Sequence, residues 1–551
     1  MTAPAPVLSA VLSAFRGALC GAVVLGSGLV SARPVSAAPS AGMPPASPLA
    51  WPLHAPVEWG APGHDAAPAA ASLGLAARAP IGRAPVAGSR QRSFSRGVPA
   101  FGLAVRLALR AAGEEDLRGG GAGLATDGAL GLTPRPALAP NGDEQDAAAA
   151  RSLAPAYVSA LAEDIAAAMA ELAGAQVVPE LTVRLVPRTT VEARARLEVD
   201  RAFPLARRSL DEAVAKALGM LPADADLGEL LWRLLADDVG GVRDSVEDEI
   251  LLADDITLNL ARLVLAHEFA QRASEAPEAS PTATTDERLA SDAVREARNM
   301  LLVAAWVRQN LGPEDVQAMV SAEARRTRAT EPLPPFVWKP ILGLYTQGQA
   351  FLARQARIGP FGAAPRAADV SAALAAPPRT TEELLHPGRY WEPLEREPST
   401  PVTFEIGALP EGWTVVHEDT LGELVLALFL TPPEQRRGLA TSPLGIAQIR
   451  FTNAAAEGWD GDRVLLARRE GAWYVRLVTR WEDADEAREF AAAARAVDAA
   501  LGLGLQIDED LALPEAVAEG LLVDVSCAVG ASADERRALA AALTVRTPAH
   551  G

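Results

Sequence analysis

The sequence predicts an α+β protein. A mainly helical unit with a small sheet, residues 151–395, is followed by a smaller α+β unit, residues 396–551, and preceded by a disordered arm. Three observations carry this expectation. Apolar residues recur at helical spacing over Tyr157–Ala173 and Ile256–Ala273. Leu-Thr-Val-Arg-Leu-Val at 181–186 alternates with the period of a strand. Residues 38–150 are rich in Ala, Pro, Gly and Ser and show little periodicity, so they lack the apolar surface that offsets ordering entropy.

The elements follow in order. Arg16 precedes an uncharged apolar run, Gly17 to Val30, too short for a comfortable membrane span. Val35-Ser36-Ala37 then offers an A-x-A-like cleavage site, so residues 1–37 read as an export signal and the protein as exported, periplasmic or extracellular. In the linker that follows, seven Arg and no acid lie between Asp65 and Glu114, and Phe101–Ala112 is expected to form one short helix. Gly174 stops the helix over Tyr157–Ala173. Thr189 with Glu192 fits a capping box, so a long helix is expected from there. Leu221–Leu235 reads as a helix and Glu249–Ala253 as a short strand. Asp254 and Asp255 are expected to cap the helix over Ile256–Ala273. Farther on, strands are expected at Val402–Ile406, Arg463–Ala467, Trp473–Arg480 and Leu521–Val529. Helices are expected at Leu421–Leu430, Asp485–Leu501 and Ala533–Leu543.

Composition excludes several functions. The chain of 551 residues has only two Lys, Lys216 and Lys339, and neither follows a Gly, so there is no P-loop. Two Cys exclude a disulfide framework and a Cys-rich zinc site. Cleavage after Ala37 would leave Cys527 alone, inside an apolar strand, where it reads as core. The first 150 residues carry 11 Arg and 9 acids, and the rest of the chain carries a net charge of −21. A globular part this acidic repels polyanions, so nucleic acid is not an expected partner, and no stable membrane span remains after signal cleavage. No Gly-x-Ser-x-Gly elbow is present.

One segment carries chemistry: His267-Glu268-Phe269-Ala270-Gln271. A zincin helix needs His-Glu-x-x-His, whose two His share one helix face and ligate zinc while the Glu polarises the metal-bound water. Here Gln271 stands at the second His, and an amide oxygen is a weak neutral ligand for zinc. Taken alone, the segment reads as a solvent-facing pair on an amphipathic helix. Four later segments change its weight. They are Pro377-Pro378-Arg379-Thr380-Thr381-Glu382-Glu383-Leu384-Leu385-His386-Pro387-Gly388-Arg389-Tyr390, Asp419-Thr420-Leu421-Gly422-Glu423-Leu424, Gly458-Trp459-Asp460-Gly461-Asp462-Arg463 and Trp481-Glu482-Asp483-Ala484-Asp485-Glu486-Ala487-Arg488-Glu489-Phe490.

In this order the segments resemble a family of bacterial exported zincin-like metallopeptidases, over roughly residues 150–545. The resemblance implies a zincin-like fold: a strand, the zinc helix, a second helix bearing an acidic ligand, a Tyr/Gly segment, and the four motifs above, the third of them as a turn. It implies His267 as first ligand, Glu268 as general base, Gln271 at the second ligand position and Glu296 as third ligand. The chain departs from the pattern around each of them. Ala297 and Arg298 stand where Gly and Asp follow the third ligand, and Gly241-Val242-Arg243-Asp244 replaces a Gly-Tyr-Tyr-Asp segment.

The expected function is a non-catalytic, degenerate relative of zinc metallopeptidases with a binding or envelope role and a protein or peptide partner. In that role no cofactor is expected. The alternative is an active zinc metallopeptidase using an atypical His267, Gln271, Glu296 site, in which Glu268 would activate the water. His386 reads as a structural group near a helix end. His417, next to Glu418 and Asp419, reads as a loop group ahead of the helix near Thr420, with a metal or acid–base cluster as the alternative. His54, His64 and His550 fall in segments expected to be mobile. The Trp residues of the second unit, Trp413, Trp459, Trp473 and Trp481, read as packing groups.

Overall fold

A computed structural model describes residues 153–547, apart from 175–180, 237–238, 274–279, 281, 313–314, 316–332, 356–364, 393–397, 437–448 and 510–520. The signal segment 1–37, the linker 38–150 with its expected helix, and His54, His64 and His550 lie outside the described residues. The mixed α+β class is observed. No helix among the described residues is long and apolar enough to cross a membrane.

Helix α1 (Pro155–Ala173) starts with Pro in its first turn and ends at Gly174, which is left-handed with φ 66°. Its buried stripe, Val158, Leu161, Ala162, Ile165, Ala166 and Met169, repeats every three or four residues. Strand β1 (Thr182–Val186) follows as expected. The capping box at Thr189 does not form. Helix α2 (Arg188–Ala202) begins one residue earlier, because Pro187 is extended and its carbonyl accepts from Thr190 N at 2.8 Å. The long helix expected there is cut at Phe203-Pro204, since Pro interrupts the helical ladder, and resumes as α3 (Leu205–Ala217).

Helix α4 (Leu227–Leu235) starts six residues later than Leu221. Asp226 caps it by accepting from Glu229 N at 2.9 Å. A hairpin follows that was not expected: β2 (Gly241–Asp244) lies antiparallel to β3 (Glu249–Ala253), which in turn lies parallel to β1. The order β1-β3-β2 puts the apolar Ile250–Ala253 in the centre, with all four residues buried. Helix α5 (Leu258–Arg272) has Thr257 at its N-cap. Asp255 does not cap it; its carboxylate takes two hydrogen bonds from the Arg188 guanidinium, at 2.7 and 3.0 Å.

The helical layer continues with α6 (Thr285–Asn310), α7 (Pro335–Leu352), α8 (Ala367–Ala375), α9 (Thr381–Leu385) and α10 (Pro387–Trp391). Helix α6 opens on a complete capping box, Thr284 with Glu287. It packs on α7, where Gly348 lets the two backbones meet: a Cβ there would stand 2.1 Å from the Ala293 carbonyl oxygen.

The C-terminal part holds a five-stranded antiparallel sheet. Its strands are β5 (Thr414–Asp419), β6 (Trp459–Arg469), β7 (Ala472–Trp481), β8 (Gln506–Asp508) and β9 (Leu522–Val529), in the order β5-β6-β7-β9-β8. Strand β4 (Thr403–Ile406) pairs with β10 (Leu543–Arg546). The helices are α11 (Gly422–Phe429), α12 (Ala484–Leu501) and α13 (Ala533–Ala542). Gly458–Arg463 is not a turn. Trp459 to Arg463 belong to β6, with a register shift between Trp459 and Gly461. His417 is not in a loop but on β5, beside a similar shift after Val415. One continuous core runs from Val158 to Val525 and crosses the boundary near residue 395. Trp413, Trp459 and Trp481 are buried in the C-terminal part, as is Cys527.

Helix α12 offers a local test. Asp483 accepts from Asp485 N and Glu486 N, and Glu486 bonds back to Asp483 N. Asp483→Ala is expected to cost about 1 kcal/mol, measured as a shift of the denaturant midpoint at unchanged slope.

Candidate functional site

Helix α5 carries His267, Glu268 and Gln271 within one turn, and His267 and Gln271, four apart, share a face. The helix is not amphipathic in place. Packed between the sheet, α1 and α6, it buries every side chain from Leu263 to Gln271. His267 is 0 % exposed, and its Nε2 lies 2.8 Å from the Gln271 amide nitrogen. Burial alone holds the imidazole well below its ordinary pKa, so the ring is neutral.

Two buried carboxyls complete the group. Burial raises Glu268 to about 7, opposed by Arg243 and reinforced by Glu198. Glu296, on α6, is raised to about 7 by burial, against the pull of Arg295 and with the negative field of Asp292 and Glu268 behind it. His267 and Gln271 meet on one face of α5, and Glu268 and Glu296 lie close enough for the field of one to act on the other. The structure adds Tyr345 of α7, whose phenol is raised by burial and by the fields of Glu296 and Glu268. Tyr345 is not among the residues singled out from the sequence. Glu296 Oε2 and the neighbouring Asn299 Oδ1 are buried with no hydrogen-bond partner among the described residues.

Zinc fits this donor set poorly. The Nε2 of His267 already faces an amide, and the second position offers that amide in place of an imidazole. Around the site, Arg298 reaches from α6 to the Ala270 carbonyl of α5 at 3.4 Å, tying the helices where the family pattern places an acid. Asp244 is buried and accepts from Val246 N and Glu247 N, so the end of β2 serves its own turn.

A family described as a domain of unknown function (DUF8575) matches residues 413–518. No curated protein and no solved structure matches the chain. The matched stretch contains none of His267, Glu268, Gln271 and Glu296. It does contain three of the four motifs, Asp419–Leu424, Gly458–Arg463 and Trp481–Phe490.

Those motifs meet in a second buried group. Asp286 at the start of α6 accepts from Thr381 N at 2.7 Å and Thr381 Oγ1 at 2.6 Å. Asp462 on β6 accepts from Leu421 N and Gly422 N, both at 2.8 Å, and from Trp459 Nε1 at 3.0 Å. Gly422 must be glycine: its φ is 77°, and a Cβ would lie 1.8 Å from Asp286 Oδ1. Glu423 Oε1 takes His386 Nε2 at 3.0 Å and the Thr452 hydroxyl. Arg389 bridges Glu382 and Glu482. His386 thus serves as a structural group between helices, as expected.

Beside this group, Asp211, His417 and Asp419 present ligand atoms within 4.8 Å of one another. Arg207 already donates to Asp211 at 2.8 Å and to Asp419 at 2.5 Å, and Thr285 donates to Asp419 through N and Oγ1. The guanidinium supplies the positive charge that a metal would bring, so the arrangement is an ion-pair clasp between α3, β5 and α6.

Proposed function

We propose that the chain is an exported, zincin-like protein that has lost zinc catalysis and acts by binding a protein or peptide partner at the cell envelope. The contact between the Gln271 amide and His267 Nε2, 2.8 Å long and fully interior, supports this reading best. A metal-dependent hydrolase needs that nitrogen for its ion and needs an open coordination position for water. Here the nitrogen has an amide partner. The order of elements, a small sheet with β2 at its edge and helices α5 and α6 carrying His267, Glu268 and Glu296, agrees with a zincin-like arrangement.

Metal content tests the proposal. The chain from residue 38 onward is equilibrated with zinc, desalted and analysed beside Gln271→His. The expected result is no retained zinc in the parent and about one per chain in the variant. Stoichiometric zinc in the parent, lost in His267→Ala, would favour the active-enzyme alternative with Glu268 as general base.

A further inference from the structure

The motif-bearing contact between the helical layer and the C-terminal sheet holds more acid than its cations balance. Asp286, Glu382, Asp419, Glu423 and Asp462 are each between 1 % and 3 % exposed. They come from α6, α9, the end of β5, α11 and β6. The groups facing them are His386 and Arg389 from the α9–α10 corner, Arg207 and Asp211 from α3, Arg288 from α6, His417 from β5, Glu457 ahead of β6 and Glu482 ahead of α12. Arg207 is shared with Asp211, and Arg389 with Glu482. Three guanidiniums cannot neutralise five interior carboxylates, the more so as they are shared with Asp211, Asp292 and Glu482, and His386 and His417 add charge only when protonated. Glu423 Oε2 is buried with no hydrogen-bond partner among the described residues, while its Oε1 takes His386 and Thr452.

We propose that this contact is a proton-loaded fastener: it closes α9 and α11 onto α6 and β6 while some of its carboxyls are protonated, and it loosens as alkali removes those protons. It rests on groups remote from His267 and does not depend on the proposed function.

Direction follows from the groups themselves. Burial, with the fields of Glu423, Glu482 and Asp286 outweighing Arg389, pushes Glu382 up to about 9. Burial pushes Asp462 up to about 7 despite its three donors, and pushes Asp286 well above the carboxylate range. Burial lowers His386, but its bond to Glu423 outweighs that and leaves it raised. A carboxyl with a raised folded pKa binds its proton more tightly folded than unfolded. Its contribution is present below the unfolded value and is lost as pH climbs toward the folded value. A raised imidazole loses its contribution in the same direction. For Glu382 the window runs from its ordinary value of 4.5 to about 9.

Amide hydrogen exchange on the full chain, corrected for intrinsic rates, tests this at pH 6 and pH 9. The amides of Thr381–Leu385 and Leu421–Leu424 are expected to lose at least about tenfold protection at pH 9, the equivalent of one pKa unit. Those of Val158–Met169 in α1 are expected to change less. Glu382→Gln, a neutral stand-in for the protonated acid, is expected to reduce the pH dependence at the fastener. Protection equal at the two pH values, or a loss as large in α1 as at the fastener, would overturn the proposal. So would a Glu382→Gln chain that folds and keeps the full pH dependence. If that variant does not fold, the comparison within the parent still decides.

Discussion

Gly348→Ala is expected to lower stability by about 3 kcal/mol, the upper end of the usual range for overpacking an interior. The added Cβ would stand 2.1 Å from the carbonyl oxygen of Ala293 and 2.7 Å from its carbonyl carbon. Both atoms are backbone in the middle of α6, so no rotamer change relieves the clash and the helices must separate. Helix α6 carries Glu296 and α7 carries Tyr345, so separation also disturbs the interior around His267. Gly343→Ala, on the same helix, is the contrast. Its nearest neighbours are ring atoms of Phe451 at 3.3 Å, a side chain that need shift by only a few tenths of an ångström. A loss below about 1 kcal/mol is expected there. Denaturant unfolding of both variants beside the parent measures the difference, and equal losses would contradict the backbone argument.

Asp462→Ala is expected to cost about 4 kcal/mol. The carboxylate accepts from two consecutive backbone N–H groups at the start of α11 and from the Trp459 indole. Removing it strands three interior donors, each worth about 1–3 kcal/mol when left unsatisfied. Water entering the gap would offset part of that sum. The loss should appear as a lower denaturant midpoint together with a red-shifted Trp emission, because Trp459 is buried beside Asp462. Asp462→Asn keeps one acceptor oxygen, so its loss should be smaller. If alanine and asparagine were equally harmful, the charge and not the donor count would be what matters.

The two variants probe parts of the molecule that differed in legibility. Helix α1, β3, α12 and β9 show their apolar period, and Gly174 and Asp483 sit at the ends of their helices. The missed strands β2, β5, β8 and β10 are three to six residues long and mix charged with apolar side chains. They are strands because of partners that are remote in sequence or across a turn. The failed capping box at Thr189 has a local cause, since the preceding Pro187 fixes the helix start.

The candidate site was legible in its residues and not in its burial. Nothing in His267-Glu268-Phe269-Ala270-Gln271 reveals that α1, α6 and the sheet enclose the whole turn. The four later motifs carried a resemblance in sequence. Their physical role emerges only when Thr381, Gly422 and Asp462 are seen to share hydrogen bonds with groups on other elements.

The sheet order sets limits on where the C-terminal part could be cut. The family match ends at residue 518, after β8 and before β9, yet β9 is the strand that lies between β7 and β8. A polypeptide with those limits would leave β8 without a neighbour and the long edge of β7 open over Trp473–Arg480. An open edge of that length is a template for pairing with another copy, so such a fragment should aggregate. The segment that shares a sequence is shorter than the segment that folds, and inheritance of the first without Leu522–Val529 would yield a sticky half-sheet.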